Sequence, residues 1–283
     1  MRILAFDIEE WFHLLDNEST KTYKDWGNFE VRIHKNVDKI LEFLDKSKNS
    51  ATFFILGWVA EKYPEIIKKI HSCGYEVGSH SYMHQLVYSQ SPKEFKEDLA
   101  YSIQLLENII GEKVRYFRAP GFSITKDNIW SFEIIHELGI EIDFSVFPAN
   151  RAHGGLPDYG SNRPSIIKYN GILLKEMPIN TQSFFGKPIV FSGGGYFRII
   201  PYKLIKKWTQ QSDYVMSYFH PRDFDPQQPR IKGLSFRRKF KSYVGLDHAE
   251  RKMNQWLLDF KFIDVKTAKK MINWDKVEKI RLL

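Results

Sequence analysis

The chain contains one cysteine, Cys73, and no long apolar run in its 283 residues. A single cysteine cannot form an intrachain disulfide, so oxidative cross-links cannot support the fold. No window approaches the roughly 20 apolar residues that a transmembrane helix requires. The short apolar run that ends before Asp7 cannot serve as the core of a signal peptide. With Met1 taken as the start, we expect a soluble, cytoplasmic protein.

Low-complexity segments and internal repeats are also missing, and the composition excludes a disordered chain. Apolar residues make up 43% of the sequence and aromatic residues 15%, which is enough to build a large core. The length fits one large α/β domain with an appendage.

Positive charge is in excess and is unevenly placed. The net charge is +8, and residues 230–241 carry six lysine and arginine residues without an acid. Such a patch can attract nucleic acid, an anionic membrane surface or a pyrophosphate-linked substrate, although a solvated basic face has the same composition. Because only net charge supports nucleic-acid binding, we expect no nucleic-acid partner. The partner that we expect for the basic patch is an anionic membrane surface, in peripheral contact.

Short apolar runs alternate with amphipathic segments as far as residue 225. The β-like runs are 3–6, 51–56, 75–77, 114–117, 142–146 and 215–219. Apolar residues at helical spacing lie between several of these runs, and glycines mark helix ends. Alternating strands and helices predict a parallel sheet or barrel with helices outside, so we expect the chemistry at the carboxyl ends of the strands.

Two segments interrupt the alternation. Asn170-Gly171 between two apolar runs predicts a β-hairpin, which we expect to be an antiparallel insertion. After Asp225 the sequence becomes basic and helical, with prolines and a glycine at the change. We therefore divide the chain into a main domain, residues 1–225, and a helical basic C-terminal extension, residues 226–283, packed on it.

Three acidic residues follow the first apolar run. In an extended strand, Asp7 and Glu9 point to the same side and Glu10 points to the other. Paired carboxylates at the end of a strand can divide into a base and a metal ligand. An exposed acidic turn is the alternative interpretation.

The segment EVGSHSYMH places His80 and His84 four residues apart, directly after another β-like run. Four residues are about one helical turn, so a helical arrangement puts both rings on one face, where they can bind one metal ion. Two histidines hydrogen-bonded in a loop are the alternative. Together with a carboxylate they form an open set of three ligands that leaves a position for water.

Three further polar residues end apolar runs. His220 precedes Pro221, which restricts its backbone to extended conformations, and it can be a fourth ligand, a general acid or a packed ring. Arg118 in FRAPGF can keep a neighbouring carboxylate ionised, and Asp143 in IDFSVFP can raise the pKa of a histidine. A structural salt bridge is the alternative for each.

The ordered set FDIEEWFH, HSYMH, RAPGF, DFSVF and FHPRDFD resembles the polysaccharide deacetylases, also called the NodB-homology family or carbohydrate esterase family four. The resemblance runs from residue 3 to about residue 225. The stretch FSGGGYFRIIP and the tail after it look most like the exosortase-associated branch, whose members are encoded with bacterial exopolysaccharide or surface-glycan machinery. The resemblance implies a distorted (β/α) barrel of about seven strands, here with the β-hairpin insertion and the helical C-terminal extension.

The resemblance also implies roles for single residues. Asp7 matches the catalytic base, and Arg118 matches the arginine that orients it. His220 matches the general acid, and Asp143 matches the acidic partner of that acid.

The metal ligands follow from the same resemblance, with one departure. His80 and His84 match the metal-binding histidines, but many members have an Asp-Asp pair where this chain reads DIEE from Asp7. We assign the carboxylate ligand to Glu9 because it shares a side with Asp7, and Glu10 is the competing choice. The implied cofactor is a divalent metal, with Zn²⁺ first and Co²⁺, Ni²⁺, Fe²⁺ or Mn²⁺ as alternatives.

The implied function is removal of an N-acetyl group from an N-acetylated sugar. The expected substrate is a nucleotide-linked, lipid-linked or oligosaccharide intermediate of bacterial surface polysaccharide biosynthesis. The alternatives are a hydrolase that cleaves the C–N bond of a non-sugar amide or cyclic imide, and a glycan-binding barrel without catalysis. A backbone N–H near Tyr82 or Phe122 is the expected oxyanion donor. The candidates for contact with the sugar are Trp11, Tyr82, Pro120, Phe122, Phe147 and Tyr196.

Overall fold

A computed structural model describes residues 1–15, 23–151, 153–231 and 233–282. Within these ranges the chain forms twelve strands. The strands are Arg2–Ile3 (β1), Ala5–Ile8 (β2), Thr52–Ile55 (β3), Glu76–Ser79 (β4), Tyr116–Phe117 (β5), Ile142–Asp143 (β6), Ser165–Tyr169 (β7), Ile172–Glu176 (β8), Gln182–Phe184 (β9), Lys187–Ile189 (β10), Val215–Met216 (β11) and Glu278–Arg281 (β12).

Helices cover the sheet. The described residues form Tyr23–Trp26 (α1), Ile33–Ser47 (α2), Gly57–Lys62 (α3), Pro64–Ser72 (α4), Pro92–Ile110 (α5), Ser131–Glu137 (α6), Gly194–Ile199 (α7), Tyr202–Gln211 (α8), Phe236–Tyr243 (α9), Leu246–Asp259 (α10) and Val265–Met271 (α11). The buried face of α2 carries Val37, Ile40 and Leu44 at helical spacing, as the sequence pattern predicts. Helix α5 begins with a capping box between Ser91 and Glu94. No helix in the described ranges is long and apolar enough to cross a bilayer.

The strands form the wall of a distorted barrel, as the sequence predicts. Strands β2, β3, β4, β5, β6 and β8 are parallel neighbours in that order. Strand β11 continues the wall on the other side, where it pairs in parallel with β1 and Phe219 bridges to Phe6. Between β8 and β11 the described residues form no backbone hydrogen-bond ladder. The side chain of Asn180 connects the two sides instead, because its Oδ1 accepts a hydrogen bond from the N–H of Met216 (2.9 Å). The wall therefore contains about seven strands with one irregular junction.

The register brings the strand ends to one level. Asp7 of β2 lies beside Phe54, Ser79 ends β4 beside Phe117, and Asp143 ends β6 beside Glu176. Because parallel neighbours end together, the residues that follow β2, β4 and β5 meet at one edge of the barrel.

The hairpin at Asn170-Gly171 is present, but it is not a separate insertion. Both turn residues have positive φ, 43° and 86°, and β7 and β8 pair in antiparallel register across them. However, β8 also pairs in parallel with β6 and so belongs to the barrel wall. A second hairpin, β9 with β10, was not predicted.

The C-terminal extension contains the three helices α9, α10 and α11, as the prediction of a helical extension requires, and also one strand that was not predicted. Strand β12 pairs in parallel with β7 and adds an edge to the main sheet. Ile263 exchanges backbone hydrogen bonds with Arg2 and Leu4 beside β1. Helix α10 buries Trp256 against Phe219 of the barrel. The extension therefore contributes to the sheet and to the core, while the boundary at residue 225 stays a prediction.

Candidate active site and metal centre

Strand β2 brings two buried carboxylates to the carboxyl edge of the barrel. Asp7 is 2% exposed and Glu9 is 5% exposed. His220 Nε2 lies 3.9 Å from Asp7 Oδ2 and 3.8 Å from Glu9 Oε1. The predicted placement of both carboxylates on the same side is therefore present in the structure.

Glu10 turns the other way and caps a helix. Its Oε1 accepts hydrogen bonds from the backbone N–H groups of Arg32 (2.7 Å) and Ile33 (2.8 Å) at the start of α2. Its Oε2 accepts one from the N–H of Trp11 (3.2 Å). The two donors at the start of α2 have no partner within the helix. This geometry favours Glu9 as the ligand candidate, and the ligand assignment stays a prediction.

His80 and His84 follow β4 in an irregular loop and not in the helical turn that their spacing predicts. His84 has a left-handed backbone, φ 54°, which is costly for a residue with a side chain. Asp98 of α5 fixes this loop because its carboxylate accepts the N–H groups of Tyr82 (2.7 Å) and Met83 (2.9 Å). The helical turn is therefore wrong, but the two imidazole rings still converge, with centroids 5.3 Å apart.

Glu9, His80 and His84 form a buried set of three metal-ligand candidates. One ligand atom from each lies within 4.8 Å of the others, and His84 Nε2 is 2.6 Å from Glu9 Oε2. This oxygen accepts no hydrogen bond of regular geometry. His80 Nδ1 donates to the carbonyl of Arg118 (2.7 Å), which leaves the lone pair of Nε2 for a metal ion. Two imidazole nitrogens and one carboxylate oxygen are a donor set of open metal sites, so these residues fit a divalent cation.

The charges of the ligands agree with this fit. Burial opposes ionisation of Glu9, but His84 and His220 outweigh it, so the pKa of Glu9 falls below its ordinary value. Burial lowers the pKa of His80 to about 4. A deprotonated carboxylate and a neutral imidazole are the forms that bind a metal ion.

Arg118, at the end of β5, holds one oxygen of Asp7. Its guanidinium is fully buried and donates from Nη1 to Asp7 Oδ1 (2.7 Å) and from Nη2 to the carbonyl of Ser217 (3.3 Å). The guanidinium carbon also lies 4.3 Å from the centre of the Phe54 ring. Asp7 is therefore fixed through Oδ1, and its Oδ2 faces His220.

His220 is held by Asp223, an acid that the sequence motifs did not single out. Its Nδ1 donates to Asp223 Oδ2 (3.1 Å), and its backbone N–H donates to the same oxygen (2.9 Å). Arg198 Nε lies 3.3 Å from the other oxygen of Asp223. Burial acts to lower the pKa of His220, but Glu9 and Asp223 raise it to about 8. The side chain of His220 is 24% exposed, so the ring is partly open to solvent.

Asp143 is not the partner of His220, and that prediction is wrong. Its carboxylate accepts hydrogen bonds from the hydroxyl (2.7 Å) and the N–H (3.0 Å) of Ser145, and it lies beside Glu176 of β8. Both carboxyl groups are fully buried, and burial raises the pKa of each. Asp143 therefore belongs to a buried carboxyl pair inside the barrel wall.

Most of the predicted sugar-contact residues do not present a face to solvent. Trp11, Phe122 and Phe147 are each at most 5% exposed. Arg151 lies over the rings of Phe122 and Phe147 at 4.8 Å and 5.0 Å, so these rings pack against an arginine. Pro120 is buried as well. The structure contradicts a stacking role for these four residues. Tyr196 is 51% exposed and stays a candidate for contact with the sugar.

The expected oxyanion donors are already engaged. The N–H of Tyr82 donates to Asp98, and the N–H of Phe122 donates to the carbonyl of Ala119 (3.1 Å). The phenol of Tyr82 donates to Glu61. These groups are therefore not free to hold a developing negative charge.

Asp223 and Arg198 had different signals in the sequence. Asp223 follows His220 by three residues and closes a capping box over the short 3₁₀ turn Pro221–Phe224, a local pattern that sequence reasoning could have found. Arg198 lies on α7, far from His220 in sequence, and only the tertiary structure brings it to Asp223.

Comparison with protein families gives two adjoining matches. Residues 22–142 match the family model described as "Polysaccharide deacetylase", and residues 144–270 match one described as "Domain of unknown function (DUF3473)". The first match covers β3, β4 and β5 and the loop that carries His80 and His84.

Curated relatives match part of the chain. The chain is 31% identical over 117 residues to the peptidoglycan-N-acetylglucosamine deacetylase of Bacillus cereus, covering 37% of this chain and 42% of the relative. It is 29% identical over 114 residues to the chitooligosaccharide deacetylase of Azorhizobium caulinodans, covering 38% of this chain and 51% of the relative. The matched region therefore spans about half the length of these relatives or less.

A solved structure matches the whole fold. A Mycobacterium smegmatis protein described as a polysaccharide deacetylase superposes with a TM-score of 0.65 at 17% identity, covering 99% of this chain and 92% of the other. This likeness confirms the predicted distorted barrel.

Proposed function

We propose that this chain removes N-acetyl groups from an N-acetylated sugar with a divalent metal ion as cofactor, which the similarity of residues 22–142 to polysaccharide deacetylases supports. The proposal rests above all on one observation: Asp7 Oδ2 and His220 Nε2 approach the ligand set of Glu9, His80 and His84 at the edge of the barrel. The names of the relatives specify peptidoglycan and chitooligosaccharide deacetylation, which supports an N-acetylated glycan as substrate here.

The site divides the work of amide hydrolysis among its residues. A divalent ion held by Glu9 and the two histidines would polarise the acetyl carbonyl and lower the pKa of a water molecule. Asp7, whose Oδ1 is held by Arg118, has Oδ2 placed to accept a proton from the attacking water. His220, oriented by Asp223, has Nε2 placed to donate a proton to the departing amine. Without that proton the amine is a poor leaving group.

The test is acetate release by the purified chain from acetylated chitooligosaccharides and from peptidoglycan fragments. We expect release that a strong chelator abolishes and that zinc restores, and no release from an Asp7→Asn variant. Activity that survives chelation would contradict the metal role. Hydrolysis of cyclic imides without deacetylation would favour the non-sugar C–N hydrolase, and glycan binding without acetate release would favour a binding barrel.

We propose further that the reaction belongs to bacterial surface polysaccharide biosynthesis and takes place in the cytoplasm, on a nucleotide-linked or lipid-linked precursor. The basic segment 230–241 supports a substrate that carries a phosphate. The measurement is the ratio of kcat/KM for a nucleotide-linked acetylated sugar to that for the free oligosaccharide. Equal values, together with an extracellular location in cell fractionation, would contradict this assignment.

A further inference from the structure

Helix α9 contains four lysine and arginine residues and no aspartate or glutamate. Residues 226–246 contain no aspartate or glutamate and include six lysine and arginine residues. Within α9, Arg237, Lys239 and Lys241 are exposed to solvent. The residues assigned to metal binding and proton transfer do not include this helix.

The inner side of α9 is fastened to the body of the protein. Arg198 donates from Nη1 to the carbonyls of Ser242 (3.0 Å) and Val244 (3.2 Å) and from Nη2 to the carbonyl of Lys241 (2.9 Å). Arg238 donates to the carbonyl of Leu15. The helix is therefore held in a fixed orientation.

The outer side of α9 presents two phenyl rings to solvent. Phe236 is 85% exposed and Phe240 is 53% exposed. They are four residues apart, so their rings lie on the same face of the helix. At 100° per residue, Arg237 and Lys239 flank this face on its two sides. Arg238 points nearly opposite to Phe236, which agrees with its contact to the body of the protein.

We propose that α9 docks the protein on the surface of an anionic lipid bilayer, with Phe236 and Phe240 inserted among the headgroups. Exposed aromatic rings flanked by lysine and arginine are the composition of interfacial helices. The rings leave water on insertion, the cations meet anionic headgroups, and the alkyl stems of the long basic side chains can lie along the apolar boundary. The positive charges beside the two rings are complementary to anionic lipid headgroups, so an anionic bilayer is the partner that this face of α9 fits.

The docking surface is linked to the site through one arginine. Arg198, which holds the last carbonyls of α9, also lies 3.3 Å from Asp223, the partner of His220. A sugar carried on a membrane lipid would therefore meet the protein on the side that carries the general acid candidate. The docking itself does not depend on the proposed deacetylation.

The experiment is co-sedimentation of the full chain with vesicles of phosphatidylcholine alone and of phosphatidylcholine mixed with phosphatidylglycerol, at low and high salt. We expect binding to the anionic vesicles that weakens at high salt, and little binding to the neutral ones. Arg237→Gln/Lys239→Gln/Lys241→Gln should weaken binding on the order of 100-fold. Phe236→Ser/Phe240→Ser should weaken it on the order of tenfold.

Matched controls lie elsewhere on the surface. Lys93→Gln/Lys113→Gln/Lys126→Gln removes the same number of exposed charges, and Phe185→Ser removes a ring that is 90% exposed on the turn between β9 and β10. Both controls should bind anionic vesicles like the unmodified chain. Thermal unfolding and acetate release from a soluble chitooligosaccharide should be unchanged in the Phe236/Phe240 variant.

Several outcomes would overturn the proposal. They are equal binding to neutral and anionic vesicles, no binding to either, or equal losses in the α9 variants and the controls. If duplex DNA competes with the vesicles and the Phe236/Phe240 variant still binds them fully, the basic residues of α9 would be a nucleic-acid binding surface instead. Loss of a dimer in sedimentation velocity on Phe236→Ser/Phe240→Ser would reassign the face to contact between two copies.

Discussion

Glu9 and Glu10 are chemically identical neighbours in opposite environments. Glu9 lies with His80 and His84 in the ligand set, and its Oε2 is 2.6 Å from His84 Nε2. Glu10 accepts three backbone N–H groups around the start of α2. Because the side chains of adjacent residues leave an extended backbone on opposite sides, one residue can serve the site while the other serves a helix.

The matched substitutions Glu9→Gln and Glu10→Gln should therefore separate metal binding from stability. Loss of a residue that hydrogen-bonds to a metal ligand lowers metal affinity by roughly 10–100-fold. We expect Glu9→Gln to lower zinc affinity by more than this, because it changes a ligand itself. We expect Glu10→Gln to retain zinc and to lose about 1 kcal/mol of unfolding free energy, as for other helix caps. Calorimetric zinc titration and urea unfolding measure the two effects. Equal zinc affinities in the two variants would disprove the ligand assignment.

Asp223 and Asp143 form a second matched pair. Asp223 holds His220 Nδ1, whereas Asp143 is bonded to Ser145 inside the barrel wall. We expect Asp223→Asn to lower kcat by about 10²-fold with little change in KM, because the imidazole loses its orientation and its charge partner. Asp143→Asn should leave kcat within about threefold. A large fall in kcat for Asp143→Asn alone would restore it as the partner of the acid.

For single residues, the sequence predicted well which side chains lie close together at the site. It predicted less well which of them form hydrogen bonds with each other. Asp7 and Glu9 lie at the end of β2, whereas the three histidines His80, His84 and His220 follow β4 and β11. The ends of parallel strands meet at one edge of the barrel. The partner of a side chain depends instead on the direction in which its strand or turn points it. As a result, Asp223 accepts a hydrogen bond from His220, whereas Asp143 lies beside Glu176 of β8.

Helix α7 shows how an element supports the site from outside. It carries Arg198, and its end is capped by Lys252 of α10, whose ammonium donates to the carbonyls of Phe197 (2.9 Å), Arg198 (2.9 Å) and Ile200 (2.8 Å). The last carbonyls of a helix have no partner within it. Lys252 therefore fastens α7, and with it Arg198, to the extension.

Lys252→Met should remove this cap while keeping the length of the side chain. We expect the free energy of unfolding to fall by about 1.5–3 kcal/mol, the range for hydrogen bonds to charged groups. Lys207→Met, at an exposed position on α8, should change it by less than about 0.5 kcal/mol. Urea unfolding monitored by circular dichroism measures both. Equal effects would mean that the three carbonyl contacts add nothing to stability.

The elements themselves were predictable where local sequence decides them. Asn170-Gly171 specifies its hairpin because both residues tolerate positive φ. The pairing of β12 with β7 joins residues more than a hundred positions apart, and no local pattern announces it. The loop of His80 and His84 is irregular because Asp98, on another element, holds its backbone.

For the whole molecule, the carboxyl pair of Asp143 and Glu176 sets a pH dependence of stability. Both side chains are fully buried, and burial, joined for Glu176 by the charge of Asp143, raises the pKa of Glu176 well above 4.5. The folded protein therefore binds a proton that the unfolded chain releases near pH 4.5. The stabilisation is complete below that pH and is lost as the pH rises through the pKa of the folded state.

Glu176→Gln should abolish this dependence, because the amide fills a similar volume and does not titrate. We expect the difference in unfolding free energy between the unmodified chain and the variant to fall by about 1.4 kcal/mol per pH unit over the range in which the folded pair keeps its proton. Urea unfolding between about pH 5 and pH 8 measures the slope. Glu97→Gln, at an exposed site with 67% of its side chain accessible, should give a curve parallel to that of the unmodified chain. Parallel curves for Glu176→Gln as well would mean that the pair is ionised in the folded state and that its burial does not hold a proton.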